Sequence, residues 1–267
     1  HPRVLLVKLY LAATAVAAVA ALVVRRLVQK SGMQEAAYTL HTYDHCPFCN
    51  RVEYLMANAG IPYERVLYGY GAGAKPEKCE GHGYGEGPVP LTGQKMLPVL
   101  EGPGVPAAPG AQGMPESMEI VAFLIGRHRL VVPCASGRTD VKKFTTDLEA
   151  FKASLVEARM VRMPLKDWAD PRDIAYRRWK KKLPIPLPPL EPQPELCEQV
   201  SEKLAELPAL LRGENCLNTW GFSIDDVLLL PLLRAFSCVK GVKFPPEVLA
   251  YLRLGSTQMA DYTRHAC

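Results

Sequence analysis

The chain has 267 residues, a formal net charge of +5 and 48% hydrophobic residues. This length predicts one or two domains, and the apolar fraction suffices for a sizeable core without a disulfide framework. Of the eight cysteines, Cys46 and Cys49 are closely paired. We expect the other six to be reduced and structural, which indicates a reducing compartment. Basic residues interleave with aromatic residues in one short stretch only, so no nucleic-acid partner is expected.

An apolar run near the start, residues 4–24, is interrupted by the charge of Lys8. Its length matches the ~20 residues of a membrane-spanning helix. Residues 1–30 are therefore predicted to be a transmembrane helix with its flanks, and residues 31–37 a linker. The many alanines of the run favour close packing against other membrane helices, so the lipid bilayer and other membrane-protein subunits are expected partners. An Ala-rich helix buried against a partner protein is the alternative.

The compartment is inferred from two features, the absence of a start methionine before His1 and the free cysteines. They favour an organelle. On this interpretation residues 4–24 anchor the protein in a chloroplast thylakoid or mitochondrial inner membrane, and the rest of the chain lies in a reducing aqueous compartment.

The next part of the chain has the pattern of an α/β domain. Alternating residues 38–43 predict a strand, helical spacing follows from Pro47 to Gly60, and residues 63–68 predict a second strand. This is a βαβ unit with parallel strands. Further elements complete a domain over residues 38–130: a long Gly-rich loop at 69–90, an apolar strand at 96–100, a hairpin loop at 102–113 and a helix at 117–125.

The remaining residues, 137–267, predict an all-helical domain. A Pro-rich stretch at 183–194 favours extended polyproline structure over a packed element. The predicted helices cover residues 141–161, 170–182, 196–211, 223–239 and 245–263.

The Cys46-Pro47-Phe48-Cys49 motif falls where the first strand ends and the first helix begins. Unpaired N–H groups and the helix dipole favour an anion there, so a cysteine at this place has a lowered pKa and its thiolate is a nucleophile. Cys49 follows one helical turn later, where it can attack a mixed disulfide formed at Cys46. A C-x-x-C motif beside a βαβ unit therefore predicts redox chemistry.

A zinc half-site is the competing interpretation of the same pair. Zinc needs a second pair of ligands, and Cys79 and His82 offer one. That pair falls in the Gly-rich loop, whereas Cys46 falls at the strand–helix junction, so we expect no metal.

Two further features predict a binding site beside Cys46. Proline inside a strand is normally excluded, and a cis Leu97–Pro98 bond resolves the conflict while leaving the Leu97 backbone free to pair with a peptide-like ligand. Ser117 is expected to cap a helix whose N-terminus holds a ligand carboxylate, and Glu116 to pair with an ammonium group.

Three motifs closely resemble the glutaredoxin 2 family, the larger glutaredoxins with a glutathione-transferase-like fold: residues 43–49, 93–100 and 114–121. The likeness continues through Ser223–Asp226, a Ser-x-x-Asp capping box, and residues 230–234, and it covers roughly residues 38–263. It implies a thioredoxin-like domain followed by an all-α glutathione-transferase-like domain. It also implies site roles: Cys46 as catalytic thiol, Cys49 as resolving thiol, Pro98 as cis-proline, and Leu97, Glu116 and Ser117 as glutathione-binding residues.

The predicted function is glutathione-dependent reduction of protein disulfides or glutathionylated proteins, with glutathione as reductant. The apolar segment, the long loop at 69–90 and the Pro-rich stretch depart from the family. They favour a rival hypothesis, a non-catalytic or regulatory accessory subunit of an organellar membrane complex that retains the glutaredoxin fold. A third hypothesis, an iron–sulfur or zinc protein using Cys46, lacks a visible ligand set.

Overall fold

A computed structural model describes residues 38–183, 189–253 and 258–267. Within them, a four-stranded sheet occupies the N-terminal part, and helices joined by loops follow from Ser117 onward. This agrees with the predicted order of an α/β part and a helical part.

The sheet has the strand order β2-β1-β3-β4. Its central strand β1 runs parallel to β2 and antiparallel to β3, and β4 pairs antiparallel with β3. Leu40 of β1 lies opposite Leu100 of β3, and both side chains are fully buried. The four strands are β1 (Tyr38–Thr42), β2 (Tyr63–Leu67), β3 (Val99–Glu101) and β4 (Met114–Pro115).

Helix α1 (Pro47–Ala59) connects β1 to β2, as the predicted βαβ unit requires. Pro47 occupies the first turn, where a missing N–H costs nothing. Gly60 ends the helix in the left-handed conformation (φ 66°), and its N–H donates to the carbonyl of Ala57. The buried face of α1 packs against helices α3 and α10, so this helix is fixed from two sides.

The other helices are short. They are α2 (Val89–Thr92), α3 (Ser117–Arg127), α4 (Thr139–Glu149), α5 (Lys152–Leu155), α6 (Glu157–Met160), α7 (Pro171–Lys181), α8 (Pro194–Ala205), α9 (Leu207–Leu210), α10 (Ile224–Phe236) and α11 (Pro246–Leu252). Three 3₁₀ turns accompany them, at Pro76–Lys78, Lys166–Trp168 and Tyr262–His265.

The core has two hydrophobic clusters. One lies between the sheet, α1 and α3 and includes Leu55 and Ile120; the other lies among the later helices and includes Phe144, Leu233 and Tyr251. Helix α10 contributes to both clusters and packs directly on α1. The helical part is therefore joined to the element that begins at the cysteine motif.

The predicted capping box at the start of α10 is confirmed. The backbone N–H of Ser223 donates to Asp226 Oδ2 at 2.7 Å. The other carboxylate oxygen of Asp226 accepts bonds from the Leu217 N–H and the Tyr251 hydroxyl, each at 2.8 Å. The box is thus buried and structural, as the sequence indicates.

Three predicted helices are corrected. The helix predicted at 196–211 is two helices, α8 and α9. The helix predicted at 141–161 is three helices, because the Phe151 N–H bonds to the carbonyl three residues back, that of Leu148. The last predicted helix, 245–263, ends at Leu252, and Asp261 starts a separate 3₁₀ turn by accepting a bond from the Thr263 N–H.

The predicted transmembrane helix at residues 4–24, its flanks and the linker lie outside the described residues, as do positions 184–188 of the Pro-rich stretch. Among the helices that the structure describes, none is long and apolar enough to cross a membrane.

Candidate active site

Cys46 is the N-cap residue of α1, directly after β1. Its side chain is partly exposed, whereas Cys49, one turn into the helix, is fully buried. Phe48 between them is 52% exposed, so the outer surface of the motif is open to a partner. This is the arrangement that the sequence predicts for an attacking and a resolving thiol.

The pKa values of the two thiols are shifted in opposite directions. Interaction with the Cys49 thiol is the largest cause that lowers the pKa of Cys46, and the backbone N–H groups of Cys49 and Phe48 act in the same direction, although burial opposes them. Burial raises the pKa of Cys49 well above its usual value, and the interaction with Cys46 adds to this. Of the two, Cys46 is therefore the thiol that ionises more readily.

Asp167, a fully buried residue of the helical part, holds the turn before Cys46. Its carboxylate accepts bonds from the backbone N–H groups of Asp44 (3.0 Å) and His45 (2.7 Å) and lies 2.7 Å from His45 Nδ1. Burial lowers the pKa of His45, so the imidazole is neutral at pH 7 and donates from Nδ1. The His45 ring packs on Trp168 with centroids 4.6 Å apart.

Arg234 of α10 holds the same turn from the other side. Its Nη1 donates to the Asp44 carbonyl at 2.7 Å and to Asn50 Oδ1 at 2.9 Å. The cysteine motif is therefore positioned by two charged residues that come much later in the sequence.

The Leu97–Pro98 peptide bond is cis, as predicted. Pro98 is buried, and Leu97 is partly exposed at the cleft that contains Cys46. Within the described part of the chain, the backbone N–H and carbonyl of Leu97 make no hydrogen bond.

Glu116 and Ser117 differ in part from expectation. The N-cap of α3 is Glu116, and Ser117 is the first helical residue, so Ser117 is not the cap. Glu116 is exposed and has φ 70°, a conformation that costs a non-glycine residue about 1 kcal/mol or more. Neither residue is among those lining the cleft around Cys46. The structure thus places Cys46 and Leu97 in the lining of one cleft, and that lining does not include Glu116 or Ser117.

The cleft around Cys46 has a volume of about 380 Å³ and lies between the sheet part and helices of the helical part. Its walls combine apolar side chains, such as Met160, with aromatic and cationic ones. Among the lining residues that the structure describes, five are cationic and Glu157 carries the one carboxylate; the cations are Lys95, Lys152, Arg177, Lys180 and Lys181.

Lys95 is a partly buried member of this group of cations. Its Nζ donates to the Tyr70 carbonyl at 2.6 Å and to the Tyr43 hydroxyl at 3.1 Å. It also lies 4.8–5.3 Å from the ring centroids of Tyr43, Tyr70 and Tyr176. Burial lowers the pKa of Lys95 to about 8, and the nearby charge of Lys180 acts in the same direction.

The Gly-rich loop at 69–90 is packed onto helix α7. The Tyr84 hydroxyl and the Gly71 N–H each donate to Asp173 Oδ1 at 2.7 Å. Cys79 in this loop is buried and its thiol donates to the Lys75 carbonyl at 3.1 Å. In the described residues no three or more His, Cys, Asp or Glu side chains come together in a way that could hold a metal ion. The zinc alternative therefore has no geometric support.

Sequence reasoning missed Asp167, Arg177, Lys95 and the role of Arg234. Asp167 lies 122 positions after His45, and no local pattern links the two. Arg234 gave a visible clue, since an arginine inside an apolar helical run indicates a buried charge with a partner.

The sheet, the cis-proline and the cysteine pair at a helix N-terminus define a thioredoxin-like domain, and the helices that follow give it a glutathione-transferase-like C-terminal part. Glutaredoxin 2 from Salmonella typhimurium, solved in complex with glutathione, has this fold: the TM-score is 0.68 at 22% identity, covering 87% of this chain and 100% of that one.

Sequence comparisons point to the same family. Residues 140–263 match the family model described as "Glutaredoxin 2, C terminal domain". Glutaredoxin 2 of Escherichia coli K12 is 26% identical over 220 residues, which cover 79% of this chain and 91% of that protein. Both comparisons thus find similarity to proteins of the glutaredoxin 2 family.

The predicted localisation is corrected on these findings. The matching relatives are bacterial proteins named glutaredoxin 2, and no described helix can span a membrane. Membrane anchoring, an organellar location, a bilayer and membrane-protein subunits as partners are therefore not supported. The apolar run at 4–24, on which that prediction rests, lies outside the described residues.

Proposed function

We propose that this protein is a glutathione-dependent thiol–disulfide oxidoreductase of the glutaredoxin kind, with Cys46 as nucleophile and Cys49 as resolving thiol. The observation that carries the proposal is the position of Cys46 as the partly exposed N-cap residue of α1, with Cys49 buried one turn on. The opposite directions in which the pKa values of the two thiols are shifted agree with these roles. A thiolate is the attacking species in disulfide exchange, and a protonated neighbour does not compete with it. The sequence similarity to E. coli glutaredoxin 2 and the fold similarity to Salmonella typhimurium glutaredoxin 2 favour the same reaction class.

The first step is attack of the Cys46 thiolate on the glutathione sulfur of a mixed disulfide R–S–S–G. The bond between the two sulfurs breaks, a Cys46–glutathione disulfide forms, and R–S⁻ leaves with the electron pair. A second glutathione, as thiolate, then attacks that disulfide, releases oxidised glutathione and restores the Cys46 thiolate. The sum converts R–S–S–G and GSH into R–SH and GSSG.

Protein disulfides need the second thiol. When Cys46 forms a mixed disulfide with a protein, Cys49 loses its proton and attacks, which releases the reduced protein and leaves a Cys46–Cys49 disulfide. Two glutathione molecules reduce that disulfide. The high pKa of Cys49 favours this order. The Cys49 thiol keeps its proton while it interacts with the Cys46 thiolate, and this interaction ends once Cys46 is part of a disulfide.

Glutathione itself is proposed to bind along the edge formed by Leu97, Glu116 and Ser117. The free backbone groups of Leu97 suit the peptide bonds of glutathione, and Pro98 shapes the loop that presents them. The strained φ of Glu116 is typical of a residue whose backbone or carboxylate is held for a ligand. The Ser117 end of α3 offers N–H groups to a carboxylate.

The described residues add nothing to the sequence features that favour the rival hypothesis of an accessory subunit without turnover. Against it, Cys46 lies at the N-terminus of α1 with Cys49 one turn on, and Cys46 lines the cleft.

The test is glutathione-dependent reduction of the mixed disulfide of glutathione and 2-mercaptoethanol by the 267-residue chain. We expect turnover, complete loss in Cys46→Ser, and retained turnover in Cys49→Ser. With a protein disulfide as substrate, both variants should be inactive. Cys134→Ser is the matched control because Cys134 is an exposed free cysteine outside the cleft. Equal, full loss in both active-site variants with the small substrate would overturn the assignment of roles.

A further inference from the structure

The cleft wall formed by the helical part carries more positive charge than glutathione binding at Leu97 requires. Helix α7 supplies Arg177, Lys180 and Lys181 to this wall, and Lys95 approaches from the loop before β3. Because these residues share the cleft with Cys46, they face the space into which the partner of glutathione in a mixed disulfide must enter.

Part of this charge is neutralised within the protein. Glu157 lies 2.5 Å from Arg177 Nη2 and 3.5 Å from Lys181 Nζ. Lys152 pairs with Glu149 at 3.2 Å. Because the Glu157 carboxylate pairs with Arg177 and Lys181, it does not neutralise the charge of the other cations in the cleft.

Lys95 and Lys180 keep their charge unpaired. Among the described residues, no carboxylate lies within ion-pair distance of either ammonium group. Both are held against tyrosine faces: Lys95 as described above, and Lys180 at 5.5 Å from the Tyr70 centroid and 6.0 Å from that of Tyr176. An aromatic face stabilises a cation without neutralising it, so both charges remain available to a ligand.

We infer that Lys95 and Lys180 select mixed disulfides whose leaving thiol carries a carboxylate next to its sulfur. The inference rests on the proposed function and names the substrate class of the same site. A negative charge on the R group is attracted into this half of the cleft when R–S–S–G presents its glutathione sulfur to Cys46. A positive charge on R is repelled. The glutathione half is common to all substrates, whereas the leaving R–S⁻ differs among them. The leaving ability of each R–S⁻ is the same for wild type and variants, so a change of relative rates between variants reports the contact with the charge on R.

The experiment compares three mixed disulfides of glutathione, made with mercaptoacetate (anionic), 2-mercaptoethanol (neutral) and cysteamine (cationic). The three R groups have similar size and differ in charge. For wild type we expect kcat/KM to be about fivefold or more higher for the anionic than for the cationic substrate at low salt, as a partly exposed charge contact gives. The preference should shrink as salt is added, since salt screens exposed charges.

The variants are Lys180→Gln, Lys95→Met and, as control, Lys142→Gln. Lys180 and Lys142 are both exposed and helical, but Lys142 lies outside the cleft. We expect the anionic-to-cationic ratio to fall to about twofold or less in Lys180→Gln and to stay at the wild-type value in Lys142→Gln. Lys95→Met alters a packed site. If that variant does not fold, the Lys180→Gln variant still decides the test.

Two results would overturn the inference while leaving the proposed function intact. One is wild-type turnover of the neutral substrate with no preference between the charged ones. The other is an unchanged ratio in Lys180→Gln together with an equal loss on all three substrates and a raised KM for glutathione. That pattern would mean that the basic wall binds glutathione itself. Absence of turnover with any substrate would overturn the proposed function and the inference with it.

Discussion

Arg234 and Asp44 form a buried ion pair that joins helix α10 to the turn before the cysteine motif. Nη2 of Arg234 lies 2.8 Å from Asp44 Oδ1, and both side chains are at most 6% exposed. The guanidinium also donates to the carbonyl of Ala260 and to the Tyr262 hydroxyl. Since α10 packs on α1 as well, the ion pair fixes the start of α1, and with it Cys46, relative to the helical part.

Removal of Arg234 is expected to destabilise the fold strongly. Arg234→Met leaves a buried carboxylate with less compensation, a change that costs about 3–5 kcal/mol, and we expect the lower end because Arg65 still lies 3.1 Å from Asp44. Urea unfolding at pH 7 measures the free energy of unfolding. Arg212→Met, which removes a cation that is 53% exposed, is the control and should have a much smaller effect. In the double variant that also carries Asp44→Asn, the loss in free energy of unfolding should be smaller than the sum of the losses in the two single variants. A loss equal to that sum would argue against an interaction between Arg234 and Asp44.

The reactivity of Cys46 is expected to depend on the Cys49 proton. The bond from the Cys49 thiol is the largest cause of the lowered pKa of Cys46, so Cys49→Ala should raise that pKa. The rate of Cys46 alkylation by iodoacetamide, followed peptide by peptide with mass spectrometry, should then reach its plateau at a higher pH than in wild type. Cys49→Ser keeps an O–H donor and should shift the profile less. Superimposable profiles for wild type and Cys49→Ala would show that backbone N–H groups alone stabilise the thiolate.

Stability should decrease as the pH falls below about 6.5. Burial lowers the pKa of both His45 and His41 in the folded protein below the usual value of 6.5. Below 6.5 the unfolded chain binds protons that the folded protein does not, so the free energy of unfolding rises with pH through this window and is lost toward lower pH. Urea unfolding at several pH values between about 5 and 7 measures how the free energy of unfolding changes with pH. The usual histidine pKa sets this pH window. The slope should be smaller in His45→Gln and in His41→Gln, and a wild-type slope in both variants would contradict the attribution.

The preference for anionic substrates should decline as the pH rises through about 8, where Lys95 loses its proton. The ratio of kcat/KM between the mercaptoacetate and 2-mercaptoethanol disulfides reports this, because the titrations of Cys46 and glutathione cancel in a ratio and neither R group titrates near pH 8. Lys95→Met should have a lower ratio that does not change near pH 8; a wild-type ratio without an inflection there would assign the preference to Lys180 alone. The rings that face Lys95 are those of Tyr43, Tyr70 and Tyr176. The charged or titratable groups that contribute to its pKa are Lys180, Asp173 and Cys79.

The local features of the site were determined by the sequence alone. Cys46 at a helix N-terminus follows from a strand pattern, a proline in the first turn and helical spacing, all within about a dozen residues. The cis bond before Pro98 follows from a proline that an ordinary strand position would reject. The capping box at Ser223 is also read from four consecutive residues. Each of these depends on interactions between neighbours in the chain.

Only the tertiary structure decided what surrounds the thiol. Asp167, Lys180 and Arg234 reach the cysteine turn or its cleft across more than 120 positions of sequence, and their partners are fixed by how the helices pack. The same packing buries His45 and Lys95 and so lowers the pKa of each. No local pattern encodes such shifts, because desolvation depends on every element that packs against the group. The proposed nucleophile can therefore be predicted from the sequence, whereas the charge of the cleft beside it is a property of the fold.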